Sequence, residues 1–131
     1  MWEIHAMTLV SFEAGICTLD ENIEDEYHMV AFADKESYPE NYVLLQRAFE
    51  FDEHDLECGL DGPYCEVNNP ECSGYKCCIR AVLNSDSLEL VLRPGSLQDL
   101  DSVRIGLSEA VRPQKLGEFL RVILGDIFVV E

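Results

Sequence analysis

The clearest alternation of apolar and polar residues lies in the second half of the chain. Cys77 to Leu83 (CCIRAVL) and Ser87 to Leu92 (SLELVL) each predict a strand. Asn84 to Asp86 between them has the composition of a hairpin turn. Ser102 to Leu107 (SVRIGL) predicts another strand. The residues expected on one face of the last two strands are Leu88, Leu90, Leu92, Val103, Ile105 and Leu107.

The spacing changes to that of a helix between Pro113 and Leu124. Apolar residues recur there at i, i+3, i+4, i+7 and i+8, which predicts an amphipathic helix with one buried face. Pro113 suits the first helical position, and Gly125 suits the residue just past the end. Ile127 to Val130 (IFVV) follows as an apolar tail that either packs on the domain or meets a partner. The apolar positions of the predicted helix are Leu116, Phe119, Leu120, Ile123 and Leu124.

Shorter apolar runs predict three strands near the start of the chain. Glu3 to Phe12 has apolar residues on both sides of its alternation, so we expect a strand covered on both faces. Ile16 to Leu19 predicts a short second strand, and Tyr27 to Ala33 (YHMVAFA) predicts a buried one. Asp20 to Glu26 (DENIEDE) holds five carboxylates in seven residues, which predicts a solvated acidic loop.

The middle of the chain is harder to interpret. Tyr42 to Phe51 (YVLLQRAFEF) fits both a helix and a buried strand, and we favour the strand. Asp52 to Gly62 would then be a wide polar connection to a strand at Tyr64 to Asn68 (YCEVN). Prolines on both sides limit that strand to an edge or a short segment. Asn68 to Tyr75 is expected to be an amide-rich loop.

These elements together predict an α+β fold. We expect a mostly antiparallel β-sheet of about six or seven strands, with one C-terminal amphipathic helix packed on a face. The chain has 131 residues, of which 47% are hydrophobic, so it is large enough to bury a core of its own. We therefore expect residues 1–131 to form a single domain.

The net charge of the chain is −17, from 9 Lys and Arg against 26 Asp and Glu. Residues 1–75 hold 2 basic and 18 acidic side chains, whereas residues 76–131 hold 7 and 8, so the acidity is almost entirely N-terminal. A one-sided negative field repels nucleic acid and anionic membranes and attracts basic proteins. The alternative is that the acidic residues only keep the protein soluble.

The start of the chain resembles no export signal. Glu3 interrupts Met1 to Val10, and no apolar core of about 7–15 residues follows a basic start. Apolar runs also stay well short of the ~18–20 residues that cross a bilayer. We therefore expect a cytoplasmic protein whose thiols remain reduced.

The six cysteines are the first candidate chemistry. The gaps between the last five are six, six, four and zero residues, a spacing that does not give the close pairs of a structural zinc site. Neighbouring Cys77 and Cys78 should point to opposite faces of a strand, one into the core and the other outward. We interpret the cysteines as small buried hydrophobic residues. They are Cys17, Cys58, Cys65, Cys72, Cys77 and Cys78.

Catalytic histidine and carboxylate chemistry is also disfavoured. His5 and His28 fall in predicted strands, where a structural role is the default. His54 could pair with Cys58 on a helical turn, but an acidic environment raises a thiol pKa and weakens the nucleophile. The carboxylates between Asp52 and Asp61 lack the calcium-loop pattern. They form either a solvated acidic face or a surface complementary to a basic protein.

Three short segments resemble a known family in their order and spacing. They are Tyr42-Val43-Leu44-Leu45-Gln46-Arg47, then Gly59-Leu60-Asp61-Gly62 leading to Tyr64-Cys65-Glu66, and then Ser73-Gly74-Tyr75. With the downstream hairpin, strand and amphipathic helix, this order resembles the immunity protein 10 family of bacterial polymorphic-toxin systems. The resemblance implies a non-enzymatic cytoplasmic protein that binds and neutralises a cognate toxin domain and uses no cofactor.

From the net charge we infer that the toxin is a basic, nuclease-type domain, since a strongly acidic inhibitor associates quickly with a basic surface. An acidic adaptor or nucleic-acid mimic with another protein partner stays open as an alternative, and a small thiol-dependent enzyme is the third hypothesis. No nucleic-acid or membrane partner is expected. The candidate partner-binding residues are Asp52, Glu53, Asp55, Glu57, Asp61, Tyr64, Asn68 and Tyr75.

Overall fold

A computed structural model describes residues 8–131. These residues form ten strands in two five-stranded sheets, with two α-helices. The strands are β1 (Leu9–Glu13), β2 (Ile16–Asn22), β3 (Tyr27–Ala33), β4 (Tyr42–Ala48), β5 (Tyr64–Val67), β6 (Asn69–Tyr75), β7 (Cys78–Leu83), β8 (Ser87–Leu92), β9 (Ser102–Gly106) and β10 (Phe128–Val130). The helices are α1 (Glu53–Glu57) and α2 (Leu116–Leu124), and a 3-10 turn (Gly125–Ile127) precedes β10.

The two sheets differ in how their strands connect. In the first, which we call the meander sheet, β2 to β6 follow one another in sequence order and every pair is antiparallel. In the second, the mixed sheet, the order is β1-β9-β8-β7-β10. Its two outer pairs, β1 with β9 and β10 with β7, are parallel, and its inner pairs are antiparallel.

Alternate residues of both sheets meet in one core. In the meander sheet, Val30 and Phe32 of β3 lie opposite Leu45 and Val43 of β4, and all four are fully buried. The mixed sheet supplies the predicted inward residues of β8 and β9, which are also buried. Because both sets belong to a single hydrophobic cluster, each sheet covers the apolar face of the other.

Helix α2 closes this core beside both sheets. It contacts β3 and β4 of the meander sheet and β10 of the mixed sheet. The amphipathic helix is thus confirmed, but it begins at Leu116 and not at the predicted Pro113. Pro113 lies in a preceding turn, where its carbonyl accepts a hydrogen bond from the Leu116 amide at 3.2 Å. None of the helices within residues 8–131 is long and apolar enough to cross a membrane.

The predicted strand count was too low, because the described residues contain ten strands in two sheets and not six or seven in one. The supposed loop at Asn68 to Tyr75 is largely β6. Pro70 is tolerated there because β6 is the edge strand of the meander sheet. The acidic segment Asp20 to Glu26 is also partly extended, since β2 continues to Asn22.

Other strand predictions are confirmed with changed limits. The favoured strand at Tyr42 is β4, which ends at Ala48, and the polar connection after it contains α1. Strand β5 is short as expected, but it lies between β4 and β6 and not at an edge. The hairpin turn is confirmed, because Asn84 Oδ1 accepts hydrogen bonds from the backbone amides of Asp86 and Ser87.

Both ends of the described chain join the mixed sheet. The apolar tail after α2 packs on the domain as β10, with Phe128 buried. Strand β1 lies at the opposite edge, and Leu9 is 57% exposed, so the expected cover on both faces was wrong. The first part of that predicted strand, including His5, lies outside the described residues.

The expectation that one of Cys77 and Cys78 would face outward was also wrong. Both thiols are buried. Lys76 has a positive φ of 56° and β7 begins only at Cys78, so Cys77 lies in the connection before the strand. The Cys77 Sγ atom then lies 3.5 Å from the carbonyl oxygen of Tyr75.

Candidate partner-binding surface

The acidic residues of the N-terminal part of the sequence are concentrated in one of the two sheets. Residues 16–75, which build the meander sheet and its connections, contain 16 acidic and 2 basic side chains. Residues 76–131 build α2 and four of the five strands of the mixed sheet, and they contain 8 acidic and 7 basic side chains. The negative field of the protein therefore originates from the meander sheet.

The two basic residues of the meander segment do little to offset this field. Lys35 lies in the exposed connection between β3 and β4. Arg47 belongs to the inward alternation of β4, and its Nη1 atom donates a hydrogen bond to the carbonyl of Ile123 at 3.4 Å. Its guanidinium carbon also lies 5.1 Å from the ring centroid of Phe51. Lys35 lies outside the strands, and Arg47 also lines a recess at the end of β4 together with Tyr64 and Tyr75.

The outer face of the meander sheet carries an unusual share of aromatic and aliphatic side chains. Strand register aligns Ala31, Leu44 and Glu66 as cross-strand neighbours on β3, β4 and β5. In the adjacent row, Met29 and Gln46 align with Tyr64 and Tyr75. All of these side chains are partly or largely exposed. An exposed apolar and aromatic face on an otherwise acidic protein is typical of a binding surface.

Two tyrosines on this face bind one carboxylate and a third packs against one of them, and we call Tyr42, Tyr64, Tyr75 and Glu66 the tyrosine cluster. Tyr42 Oη donates a hydrogen bond to Glu66 Oε2 at 2.5 Å, and Tyr64 Oη donates to Glu66 Oε1 at 2.6 Å. The rings of Tyr64 and Tyr75 pack with centroids 5.3 Å apart. Burial raises the pKa of Tyr42 and of Tyr64, and the hydrogen bonds to Glu66 add to both shifts. The two hydroxyls are therefore firm donors at neutral pH.

Four of the predicted site residues lie on or just before α1. The Asp52 side chain accepts a hydrogen bond from the Asp55 amide at 2.8 Å, and the Asp55 side chain accepts one from the Asp52 amide at 3.0 Å. This reciprocal capping begins the helix. Glu53 and Glu57 are exposed. Two of the four carboxylates thus shape the helix, and the other two present charge to solvent.

Asp61 and Asn68 also have structural partners. Lys76 Nζ donates to Asp61 Oδ1 at 2.8 Å, and this hydrogen bond lowers the pKa of the Asp61 carboxyl. Asn68 has a positive φ of 64°, and its Oδ1 accepts from the Tyr42 amide at 2.8 Å. Its Nδ2 donates to Asn41 Oδ1 at 3.1 Å. Asp61 therefore stabilises the connection before β5, and Asn68 stabilises the one after it.

The structure brings Asp55, Tyr64 and Tyr75 together around one recess. The recess has a volume of about 100 Å³ and lies where β4 ends against the α1 connection. The rest of its wall is formed by Gln46, Arg47, Ala48, Phe51, Leu60 and Gly62. The remaining predicted residues lie around α1 and at the two ends of β5.

Sequence reasoning missed Tyr42 and Glu66, which are central to the cluster. They are 24 residues apart, and only the pairing of β4 with β5 brings them together. The alternation on β4 (Tyr42, Leu44) and on β5 (Tyr64, Glu66) was visible in the sequence. A prediction that β4 pairs with β5 would have placed their outward residues on one face.

Four of the six thiols have a raised pKa. Burial raises the pKa of the Cys17 thiol to about 12, and it also raises the pKa of Cys72 and of Cys77. A hydrogen bond with Cys78 and burial raise the pKa of Cys65, and the same hydrogen bond lowers the pKa of the buried Cys78 thiol. Thiols of high pKa are poor nucleophiles at neutral pH.

Cys58 differs from these thiols because it is exposed. Its Sγ atom lies 3.8 Å from both ring nitrogens of His54, which is the geometry expected for two residues one helical turn apart. No third metal-ligating side chain joins the pair, since residues 8–131 contain no group of three or more His, Cys, Asp or Glu placed to hold a metal ion.

Comparison with known proteins identifies the family. No curated protein and no solved structure matches the chain. The family model described as Immunity protein 10 matches residues 13–112, well over half of the chain. The matched interval contains the whole meander sheet and the tyrosine cluster. This match confirms the resemblance seen in the sequence, and the chain belongs to the immunity protein 10 family.

Proposed function

We propose that this protein binds a cognate bacterial toxin domain and neutralises it by covering its surface, without catalysing a reaction. The family match carries the proposal, because its description is that of an immunity protein. The proposed site of action is the cytoplasm, where the six free thiols would stay reduced.

The charge distribution supports a basic partner. An acidic surface attracts a basic one at long range and raises the association rate, and salt screens this effect. Toxin domains that act on nucleic acid need a cationic surface to bind their phosphate-rich substrate. We therefore propose that the toxin is a basic, nuclease-type domain and that this protein occupies its nucleic-acid surface.

The proposed contact surface includes the region singled out in the sequence. Glu53 and Glu57 would supply exposed charge from α1, beside the recess lined by Asp55, Tyr64 and Tyr75. Asp52, Asp61 and Asn68 would act indirectly, because they hold α1 and β5 in position. An interface of this kind combines charge around the rim with aromatic residues at its centre.

Co-expression tests this proposal. We expect a toxin domain to be encoded immediately upstream of this gene, and that domain is produced in a sensitive bacterial host, with or without this protein. We expect growth to be restored only when both are present, and the two proteins to co-purify. Unchanged killing in the presence of the folded protein would contradict the proposed function.

The same assay tests the contribution of charge. The double variant Glu53→Lys, Glu57→Lys should weaken toxin binding and flatten its dependence on salt, because both side chains are exposed and neither supports the fold. Reversal of Asp52, Asp55 or Asp61 would be a poorer test, since these residues hold α1 or Lys76. Glu118→Lys on the exposed side of α2 is the matched control and should change binding little.

A further inference from the structure

We propose that the tyrosine cluster is the centre of the toxin-binding surface and that it receives an arginine side chain of the toxin domain. The inference rests on the proposed function and names the contact at its core. Four observations support it: the geometry of Glu66, the aromatic rings near it, the lack of an ion pair to Glu66 within residues 8–131, and the apolar residues around it.

Glu66 is oriented to accept a further pair of hydrogen bonds. A carboxylate has about four lone-pair positions, and the hydroxyls of Tyr42 and Tyr64 occupy one on each oxygen. Each oxygen therefore keeps an accepting position. The phenol of Tyr42 on β4 and the phenol of Tyr64 on the same strand as Glu66 fix the direction of the carboxylate, and the Glu66 side chain is only partly buried. A planar guanidinium matches such a carboxylate through two parallel hydrogen bonds.

The aromatic rings favour arginine over lysine. Tyr64 and Tyr75 lie side by side, with their ring planes inclined by 60°. A guanidinium stacks on an aromatic face while its edge donates hydrogen bonds, whereas an ammonium group is a compact and strongly hydrated charge. Tyrosine also loses little conformational freedom on binding, since its ring moves about only two torsions.

The charge of Glu66 has no cationic partner on the outer face of the meander sheet within the described residues. Its cross-strand neighbours are Leu44 and Ser73. The nearest cation along the chain, Lys76, is bound to Asp61. A partly desolvated carboxylate that only neutral hydroxyls compensate gains most from a partner that brings a positive charge.

The apolar neighbours of the cluster would exclude water from this contact. Ala31 and Leu44 adjoin Glu66 across the strands, and Met29 lies in the next row. A charged contact is strengthened when surrounding residues exclude solvent from it. A second copy of this chain is a poor occupant, because the same acidic faces would repel each other.

The test compares two carboxylates on the outer faces of the two sheets. Glu66→Gln removes the charge of the cluster and keeps its shape. Glu89→Gln removes one charge from β8 on the mixed sheet, where Arg104 lies 3.9 Å away. Affinity for the upstream-encoded toxin domain is measured by titration calorimetry. We expect Glu66→Gln to weaken binding by about thirtyfold or more, as the loss of a desolvated charge pair does. Glu89→Gln should change binding by less than about threefold.

A second measurement identifies the residue that the cluster receives. Phenylglyoxal modifies accessible arginines of the toxin domain, and mass spectrometry locates them. In the complex, one arginine should be protected, and Glu66→Gln should reduce that protection. Urea unfolding of each variant checks that the fold is retained. Should Glu66→Gln unfold, Tyr64→Phe serves instead, because it keeps the ring and removes one of the two fixing hydrogen bonds.

The outcomes separate this inference from the proposed function. Failure of the unaltered protein to bind or neutralise the toxin overturns both. Normal neutralisation together with a Glu66→Gln affinity equal to that of Glu89→Gln overturns only the inference and moves the interface elsewhere. Normal binding without protection of any arginine overturns the choice of arginine.

Discussion

Leu120 offers the sharpest test of how the two sheets and α2 depend on one another. Its side chain is 0% exposed in the middle of α2, and the helix contacts β3 and β4 on one side and β10 on the other. The substitution Leu120→Ala would leave a cavity between elements that the rest of the core holds apart. Truncating a buried leucine lowers the free energy of unfolding in two ways: the transfer free energy of the removed methyl groups is lost, and the cavity left behind loses packing contacts.

The expected loss in the free energy of unfolding is about 3–5 kcal/mol, the upper part of the range for buried leucines. Collapse of the site is limited because strands of both sheets border it. A domain of this size has a total stability of roughly 5–15 kcal/mol, so the variant should lose a third or more of it. Val122→Ala is the control, since Val122 is 50% exposed on the same helix. It should change the free energy of unfolding by no more than about 0.5 kcal/mol.

Urea unfolding followed by far-UV circular dichroism and by tyrosine fluorescence measures this loss. If residues 1–131 form a single domain, as the sequence predicts, both probes should report one transition with the same midpoint. A loss below about 1 kcal/mol for Leu120→Ala would refute the role assigned to α2. Two separate transitions would refute the dependence of one sheet on the other.

Two further outcomes follow from the thiols and from the Lys76 contact. Iodoacetamide at pH 8 should modify the exposed Cys58 thiol first, which mass spectrometry would show. Modification at Cys58 alone should leave toxin binding unchanged when it is measured by titration. Loss of binding would instead support a function that depends on the thiol. Lys76→Met should destabilise the protein at pH 7, and its deficit should shrink as pH falls below about 4. The pKa of Asp61 is lowered in the fold by the Lys76 hydrogen bond, so this stabilisation is present above the ordinary carboxyl pKa and is lost as Asp61 is protonated. A deficit that stays constant between pH 7 and pH 2 in urea unfolding would contradict this assignment.

The sequence predicted individual strands better than it predicted their assembly. The limits of β3 and β8 agree with the prediction because charged or turn-forming residues bound each apolar run. Strand β6 was missed because its sequence, NPECSGY, contains proline and glycine and lacks alternation. Its backbone pairing with β5, and not its side chains, makes it a strand. Periodicity also cannot tell which strands share a sheet, so two sheets were read as one.

The candidate surface was predicted in part for a related reason. Tyr64 and Tyr75 were singled out, and they lie together because β5 pairs with β6. The acidic residues near α1 drew attention through their charge, but Asp52, Asp55 and Asp61 turned out to have partners within the chain. Charge along a sequence indicates where a field originates. It does not indicate which carboxylates remain available to another molecule.

The different connectivity of the two sheets has a consequence for protein synthesis. Every strand pair of the meander sheet is local and lies within residues 16–75, so this sheet can begin to form while the chain is still being made. Strand β1 must wait for β9, as the hydrogen bond from the Thr8 amide to Asp101 across 93 residues illustrates. At about 5–20 residues per second, the interval between residue 75 and residue 130 is roughly 3–11 s. Throughout that interval the inner face of the meander sheet lacks its cover. A newly made molecule therefore passes through a stage in which its outer face has formed but its core is open.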